Sequence, residues 1–162
     1  MSWDAPAAVV GASFIAPRSR GRVRIRSADP FEPPSMQPRY LSTETDRSCA
    51  VAGMRLARAL AATAALRPYI AEEYRPGPAA SSDADLLEFA RNFGATIFHP
   101  AGTCKMGDDP MAVVDARLRV HGVAGLRVVD CSIMPTLTSG NTHAPAVMIA
   151  EKASDLILQD AD

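Results

Sequence analysis

The sequence is short of several things, and each shortage removes a class of function. No apolar run reaches the roughly 18–20 residues that a membrane-crossing helix requires, so no transmembrane segment is expected in these 162 residues. There are just three cysteines, Cys49, Cys104 and Cys131. An odd, widely spaced set is no disulfide framework, and it predicts reduced thiols in a reducing compartment, the cytoplasm. No C-x-x-C or H-x-x-x-H spacing links them to His99, His121 or His143, so no structural zinc is expected. There is no G-x-S-x-G, hence no serine-hydrolase elbow. There is no G-x-G-x-x-G, hence no dinucleotide fingerprint within the sequence itself. Charge of one sign is missing too: 17 Lys and Arg stand against 18 Asp and Glu. A net charge of −1 sets up no field that would collect nucleic acid or an anionic membrane surface. The first residues carry Asp4 and no Lys or Arg, a poor signal peptide.

What is present reads as one ordinary globular domain with enough length to bury a core, 48% apolar and 22% charged. Residues 8–15, with Val9, Val10, Phe14 and Ile15, suit a buried strand that ends at Pro17. Residues 18–26 alternate, with Arg18, Arg20, Arg22, Arg24 and Arg26 on one face and Val23 and Ile25 on the other. Period two predicts a half-buried strand with a solvated arginine face, and a polyanion-binding stripe is the weaker reading because Asp29 and Glu32 follow at once. Pro30, Pro33, Pro34 and Pro38 force extended or turning chain. Ser42 or Thr43 caps a helix expected over residues 46–66, stopped by Pro68. Ser82 and Asp85 form a capping box for a short helix ending at Gly94. Short strands are expected at residues 113–114, 118–120 and 126–129, the last buried on both faces. Residues 139–142 cap a last helix with Pro145 in its first turn. That helix is apolar over much of its surface and expects partners on more than one side.

Two positions in the last third invite a chemical reading. Pro100 biases His99 to extended backbone, and Gly102 permits close approach to the chain, which sets a ring at the edge of a site. Taken alone, His99 is either a structural ring or a catalytic one. Asn141 lies at a helix start, where free N–H groups favour a partly negative ligand atom; it is a cap, a ligand contact, or both.

The motifs F-H-P-A-G-T-C-K-M-G, V-V-D-x-x-L-R-V-H-G-V-x-G-L-R-V-V-D, S-I-M-P and S-G-N-T-x-A-P-x-x-M-I-A-E-K-A, in that order, resemble the C-terminal part of the glucose–methanol–choline (GMC) family of FAD-dependent alcohol oxidoreductases, nearest its choline-dehydrogenase-like branch. P-R-S-R-G-R-V-R, S-A-D-P-F-E-P-P and P-R-Y-L-S resemble that family's substrate domain. The resemblance covers residues 17–158 and implies an α+β fold: antiparallel sheet with flanking helices over 17–125, and a strand–helix segment over 126–158 that returns to the FAD domain. It implies His99 as the base that takes the hydroxyl proton of a primary alcohol, Asn141 as a hydrogen bond to the same oxygen, and hydride transfer from carbon to flavin N5. It implies Asp130, Cys131, Ser132, Asn141, Thr142 and His143 beside FAD, a cofactor that this chain is not expected to hold alone because the N-terminal, glycine-rich FAD-binding half is absent from it. His143 stands where close relatives commonly carry asparagine, and either tunes the pocket or simply sits in the helix's first turn. A separately encoded FAD-binding half is then an expected partner alongside the alcohol substrate. The alternative is an inactive fragment, a truncated gene product acting at most as a binding module. A quaternary ammonium such as choline calls for an aromatic or acidic pocket, and Trp3, the one tryptophan, lies outside the resembling region.

Overall fold

The computed structural model describes residues 7–161; Trp3 and Asp4 lie outside the described residues. The fold is α+β: β1 (Arg22–Arg24), β2 (Ser35–Gln37), α1 (Glu44–Ala61), a 3₁₀ turn (Arg67–Tyr69), α2 (Asp83–Phe93), a second 3₁₀ turn (Cys131–Ile133) and α3 (His143–Gln159). These elements fall into two compact units. One comprises residues 7–21 and 38–95, the other residues 22–37 and 96–161. Among the described residues no helix is long and apolar enough to cross a membrane.

In the first unit, α1 starts where Thr43 Oγ1 accepts the Asp46 N–H at 3.3 Å, with Glu44 and Asp46 in the first turn to meet the positive helix end. The helix ends at Ala61, short of the expected residue 66. The Thr63 hydroxyl donates to the Leu60 carbonyl at 2.8 Å, and the Thr63 carbonyl then accepts from Leu66 and Arg67, so local turns replace the helical ladder before Pro68 is reached. α2 begins at the expected capping box: the Ser82 hydroxyl accepts from the Asp85 N–H, and the Asp85 carboxylate accepts from the Ser82 N–H. Gly94 ends α2 at φ −65°, in extended rather than left-handed backbone; a Cβ there would lie 2.4 Å from the Ala90 carbonyl oxygen. The two helices pack on each other, and Leu86 of α2 is fully buried. Arg58 of α1 holds the intervening loop through Glu73, the Gly77 carbonyl and the Ala80 carbonyl.

Residues 8–15 are not a strand. They run beside α1, where the missing side chain of Gly53 admits Ala12, and no ladder pairs with them among the described residues; Val9, Val10 and Ile15 are exposed. The chain that follows is tied down by charge. The Asp46 carboxylate, 3% exposed, accepts the N–H groups of Arg18 at 2.8 Å and Ser19 at 2.7 Å.

In the second unit, β1 and β2 pair antiparallel, Arg22 opposite Gln37, Val23 opposite Met36 and Arg24 opposite Ser35. The expected half-buried strand over 18–26 is thus three residues long, and its apolar face is exposed, Val23 at 50% and Ile25 at 88%, because no layer covers it among the described residues. The core gathers Val114, Leu118, Ile133, Met134, Ile149, Ala153 and Leu156. Ile149, Ala153 and Leu156 recur at i, i+4 and i+7, one face of α3. The short strands expected at 113–114, 118–120 and 126–129 are single bridges instead: Met106 with Val114, Val114 with Val120, Arg119 with Arg127. Asp115 folds the first two back on each other by accepting the N–H groups of Arg119 and Arg117; the Arg119 N–H foremost, then the Arg119 guanidinium and the Arg117 N–H, lower its pKa to about 2. The 126–129 segment is not buried on both faces, since Leu126 is 50% exposed. Arg117 and Arg127 both clasp Asp160, and Arg117 also donates to the Leu156 carbonyl, placing cations at the negative end of α3. The other face of α3, with Val147, Met148 and Leu158, is exposed.

Burial raises the Asp46 pKa, but its backbone donors at Arg18 and Ser19, with the Ser19 and Thr43 side chains, more than offset this and hold it below the ordinary carboxylate value. A carboxyl depressed in the folded state contributes stability above its unfolded value, roughly 3.9, and loses it as pH falls through the lower folded value. Asp46→Ala is therefore expected to cost about 1–3 kcal/mol in urea unfolding at neutral pH. The gap between variant and parent should close in acid; a gap independent of pH would refute the assignment.

Candidate functional site

Three stretches far apart in sequence meet within the second unit. The segment that begins at His99 runs along the turn at 131–133 in a regular alternation: Gly102 N–H donates to the Cys131 carbonyl at 3.3 Å, Cys104 N–H to Ser132 at 2.9 Å and Met106 N–H to Ile133 at 2.7 Å. Gly102 has φ +84°, and a Cβ there would stand 3.2 Å from the Met134 carbonyl oxygen. The glycine inferred to permit close approach does so, and the element approached is the 131–134 turn. Its other flank is strained. Phe98 has φ +63°, costly for a bulky residue, with its N–H held by Thr96 Oγ1 at 2.9 Å.

The result of this register is that the His99 ring reaches the start of α3. His99 Nδ1 lies 2.8 Å from Thr142 Oγ1 and 3.3 Å from the Thr142 backbone nitrogen, and the ring tautomer decides which of the two it bonds. Thr142 is the N-cap residue of α3, yet its hydroxyl makes no capping bond to its own helix, because it is turned to His99. Thr142 is 6% exposed, and its carbonyl accepts both the Ala146 N–H and, at 3.6 Å, the Cys131 thiol. His99 is half-buried, and its Nε2 makes no hydrogen bond among the described residues.

The other candidates lie around this pair. Asp130 is exposed and caps the 131–133 turn, accepting the Ser132 N–H at 2.7 Å. Cys131 and Ser132 are half-buried. Asn141 and His143 flank Thr142 and are both exposed, so each presents its side chain outward from the start of α3. No hydrogen bond joins Asn141 to His99 among the described residues; they are neighbours only through Thr142. His121 stands apart, its Nε2 donating to the Gly107 carbonyl at 3.0 Å. Thr142 is the residue whose part sequence reasoning missed. It was expected as a neighbour of the cofactor, and no local pattern pairs it with a histidine 43 positions away.

The family model described as GMC oxidoreductase matches residues 17–150. The chain belongs to the GMC oxidoreductase family. It is 43% identical over 148 residues to an alcohol dehydrogenase [acceptor] of Pseudomonas putida, covering 91% of this chain and 27% of that protein. It is 48% identical over 139 residues to an oxygen-dependent choline dehydrogenase of Acinetobacter baumannii, covering 86% of this chain and 25% of that protein. Its fold superposes with a TM-score of 0.83 on an FAD-dependent oxidoreductase from Chaetomium thermophilum, 29% identical, covering 91% of this chain and 26% of that one. The GMC chain described here therefore spans about a quarter of the length of these relatives and matches their C-terminal portion.

Gly102→Ala tests the register that carries His99. The left-handed backbone and the contact with the Met134 carbonyl both oppose a methyl group, so a loss of about 1–2 kcal/mol is expected in urea unfolding. An unchanged midpoint would show that the 102–106 ladder does not hold the segment.

Proposed function

We propose that this chain carries the substrate-side residues of an FAD-dependent oxidoreductase that converts a primary alcohol to an aldehyde, with His99 as the base. The observation that carries this reading is the seating of the His99 ring against the start of α3, with Nε2 left available to a ligand oxygen. In this reading Nε2 takes the hydroxyl proton, and the exposed Asn141 side chain donates to the same oxygen. Residues 17–125 form the substrate side, and residues 126–158 return to the FAD domain.

The residues present suit a flavin. Because the Thr142 hydroxyl is engaged by His99, the first turn of α3 keeps its N–H groups uncapped by any side chain, and its positive end favours an electron-rich ring. Asp130, Asn141 and His143 are exposed around it, with Cys131 and Ser132 half-buried beside Thr142. These six would line the cofactor. FAD, when bound, supplies the acceptor for the hydride that leaves the alcohol carbon. A grip on its pyrophosphate has to come from outside these residues, since they contain no G-x-G-x-x-G. The alternative reading is a catalytically inactive binding module.

The two readings part in a complementation assay. The purified chain is mixed with FAD and the remaining N-terminal portion of a relative such as the Pseudomonas putida alcohol dehydrogenase, and bleaching of the flavin by primary alcohols is followed. The proposal expects alcohol-dependent bleaching that falls about 10²–10⁴-fold in His99→Ala. Bleaching that ignores His99→Ala would remove the histidine from the chemistry. No bleaching with any alcohol would favour the binding module.

A further inference from the structure

The Thr142 residue presents two groups of opposite demand to one nitrogen of His99. Its backbone N–H, 3.3 Å from Nδ1, can only donate. Its hydroxyl, 2.8 Å from Nδ1, can donate or accept, because the Oγ1 proton rotates and the oxygen keeps two lone pairs. Neutral imidazole carries its proton on one nitrogen alone, so what faces Nδ1 decides what Nε2 is. With the amide in control, Nδ1 accepts, Nε2 holds the proton, and the ring offers the site a donor. When Nδ1 carries the proton, the hydroxyl is the one neighbour in hydrogen-bond contact with it that can accept, and Nε2 is then an open lone pair.

We propose that Thr142 is the positioning residue for His99: its buried hydroxyl accepts from Nδ1–H, holds the ring, and sustains the tautomer whose Nε2 is free to take a proton. This rests on the reading of His99 as the base. The proton balance is simple. The alcohol O–H bond breaks, its proton moves to Nε2, and the resulting imidazolium keeps its Nδ1–H on Thr142 Oγ1. The rigid setting supports the assignment, since the Thr142 carbonyl is itself fixed by the Ala146 N–H at 2.9 Å and by Cys131. So does the missing cap: a threonine at an N-cap ordinarily bonds to its own helix, and this one does not.

The test reads the tautomer directly and needs neither flavin nor substrate. Long-range ¹H–¹⁵N spectra of the purified chain, taken at a pH where the imidazoles are neutral, report which nitrogen of His99 is protonated, with His121 and His143 as internal references. The wild-type chain and Thr142→Ser are expected to show a substantial Nδ1–H fraction. In Thr142→Val that fraction should fall several-fold, leaving Nε2–H dominant, and Thr142→Ala should do the same if valine disturbs the helix start. An unchanged tautomer ratio in both hydroxyl-free variants overturns the proposal, as does a wild-type ring found wholly as Nε2–H. The outcome stands apart from the complementation assay. A correct tautomer effect with no His99 dependence of bleaching would leave the pairing intact and sink only the base role.

Discussion

The backbone ladder between residues 102–106 and the turn at 131–133 is the constraint on which the site depends. Three N–H groups from alternate residues of one segment meet three successive carbonyls of the other. This couples an extended chain to a tight turn in a single register. A one-residue slip would present the opposite set of N–H groups and carry His99 away from Thr142. Gly102 suits the closest point, since its positive φ and a Met134 carbonyl that would stand 3.2 Å from a Cβ both oppose a side chain. The strain at Phe98, by contrast, lies outside the ladder and bends the chain immediately before the histidine.

The core of the same unit keeps α3 in place for that contact. Ile149, Ala153 and Leu156 bury one face of the helix against Val114, Leu118, Ile133 and Met134, and Arg117 and Arg127 close on Asp160 at its far end. Those charges also lower the Asp160 pKa, first through the Arg117 hydrogen bond and then through Arg127. The helix is thus pinned at its C-terminus by charge and at its midpoint by packing. Its N-terminus is left to engage His99. The exposed Val147, Met148 and Leu158 give α3 a second apolar face, in keeping with a chain that matches about a quarter of its relatives' length.

Much of the local structure was legible in the residues. The Ser82–Asp85 box and the Thr43 cap with its acidic first turn were readable because a cap is a contact between residues two to four positions apart; the turn expected to cap α3 makes no such bond. The strands were not. Residues 8–15, 18–26 and 126–129 carry β-type patterns, yet one runs unpaired beside α1, one pairs over three residues with both faces exposed, and one is reduced to the Arg119–Arg127 bridge. An alternating pattern states which faces want burial and says nothing of whether a neighbouring strand or covering layer is there to receive them.

By itself, the sequence determined the three helices, the caps that start α1 and α2, and the family, because motif order and local spacing are properties of the chain. Tertiary structure alone decided that Thr142 would give up its capping bond to His99, that Asn141 and His143 would point outward on either side of it, and that Asp46 would be buried to hold Arg18 and Ser19. Each of those outcomes turns on a hydrogen-bonding group choosing between a local partner and a distant one. The choice is settled by which groups packing brings within about 3 Å.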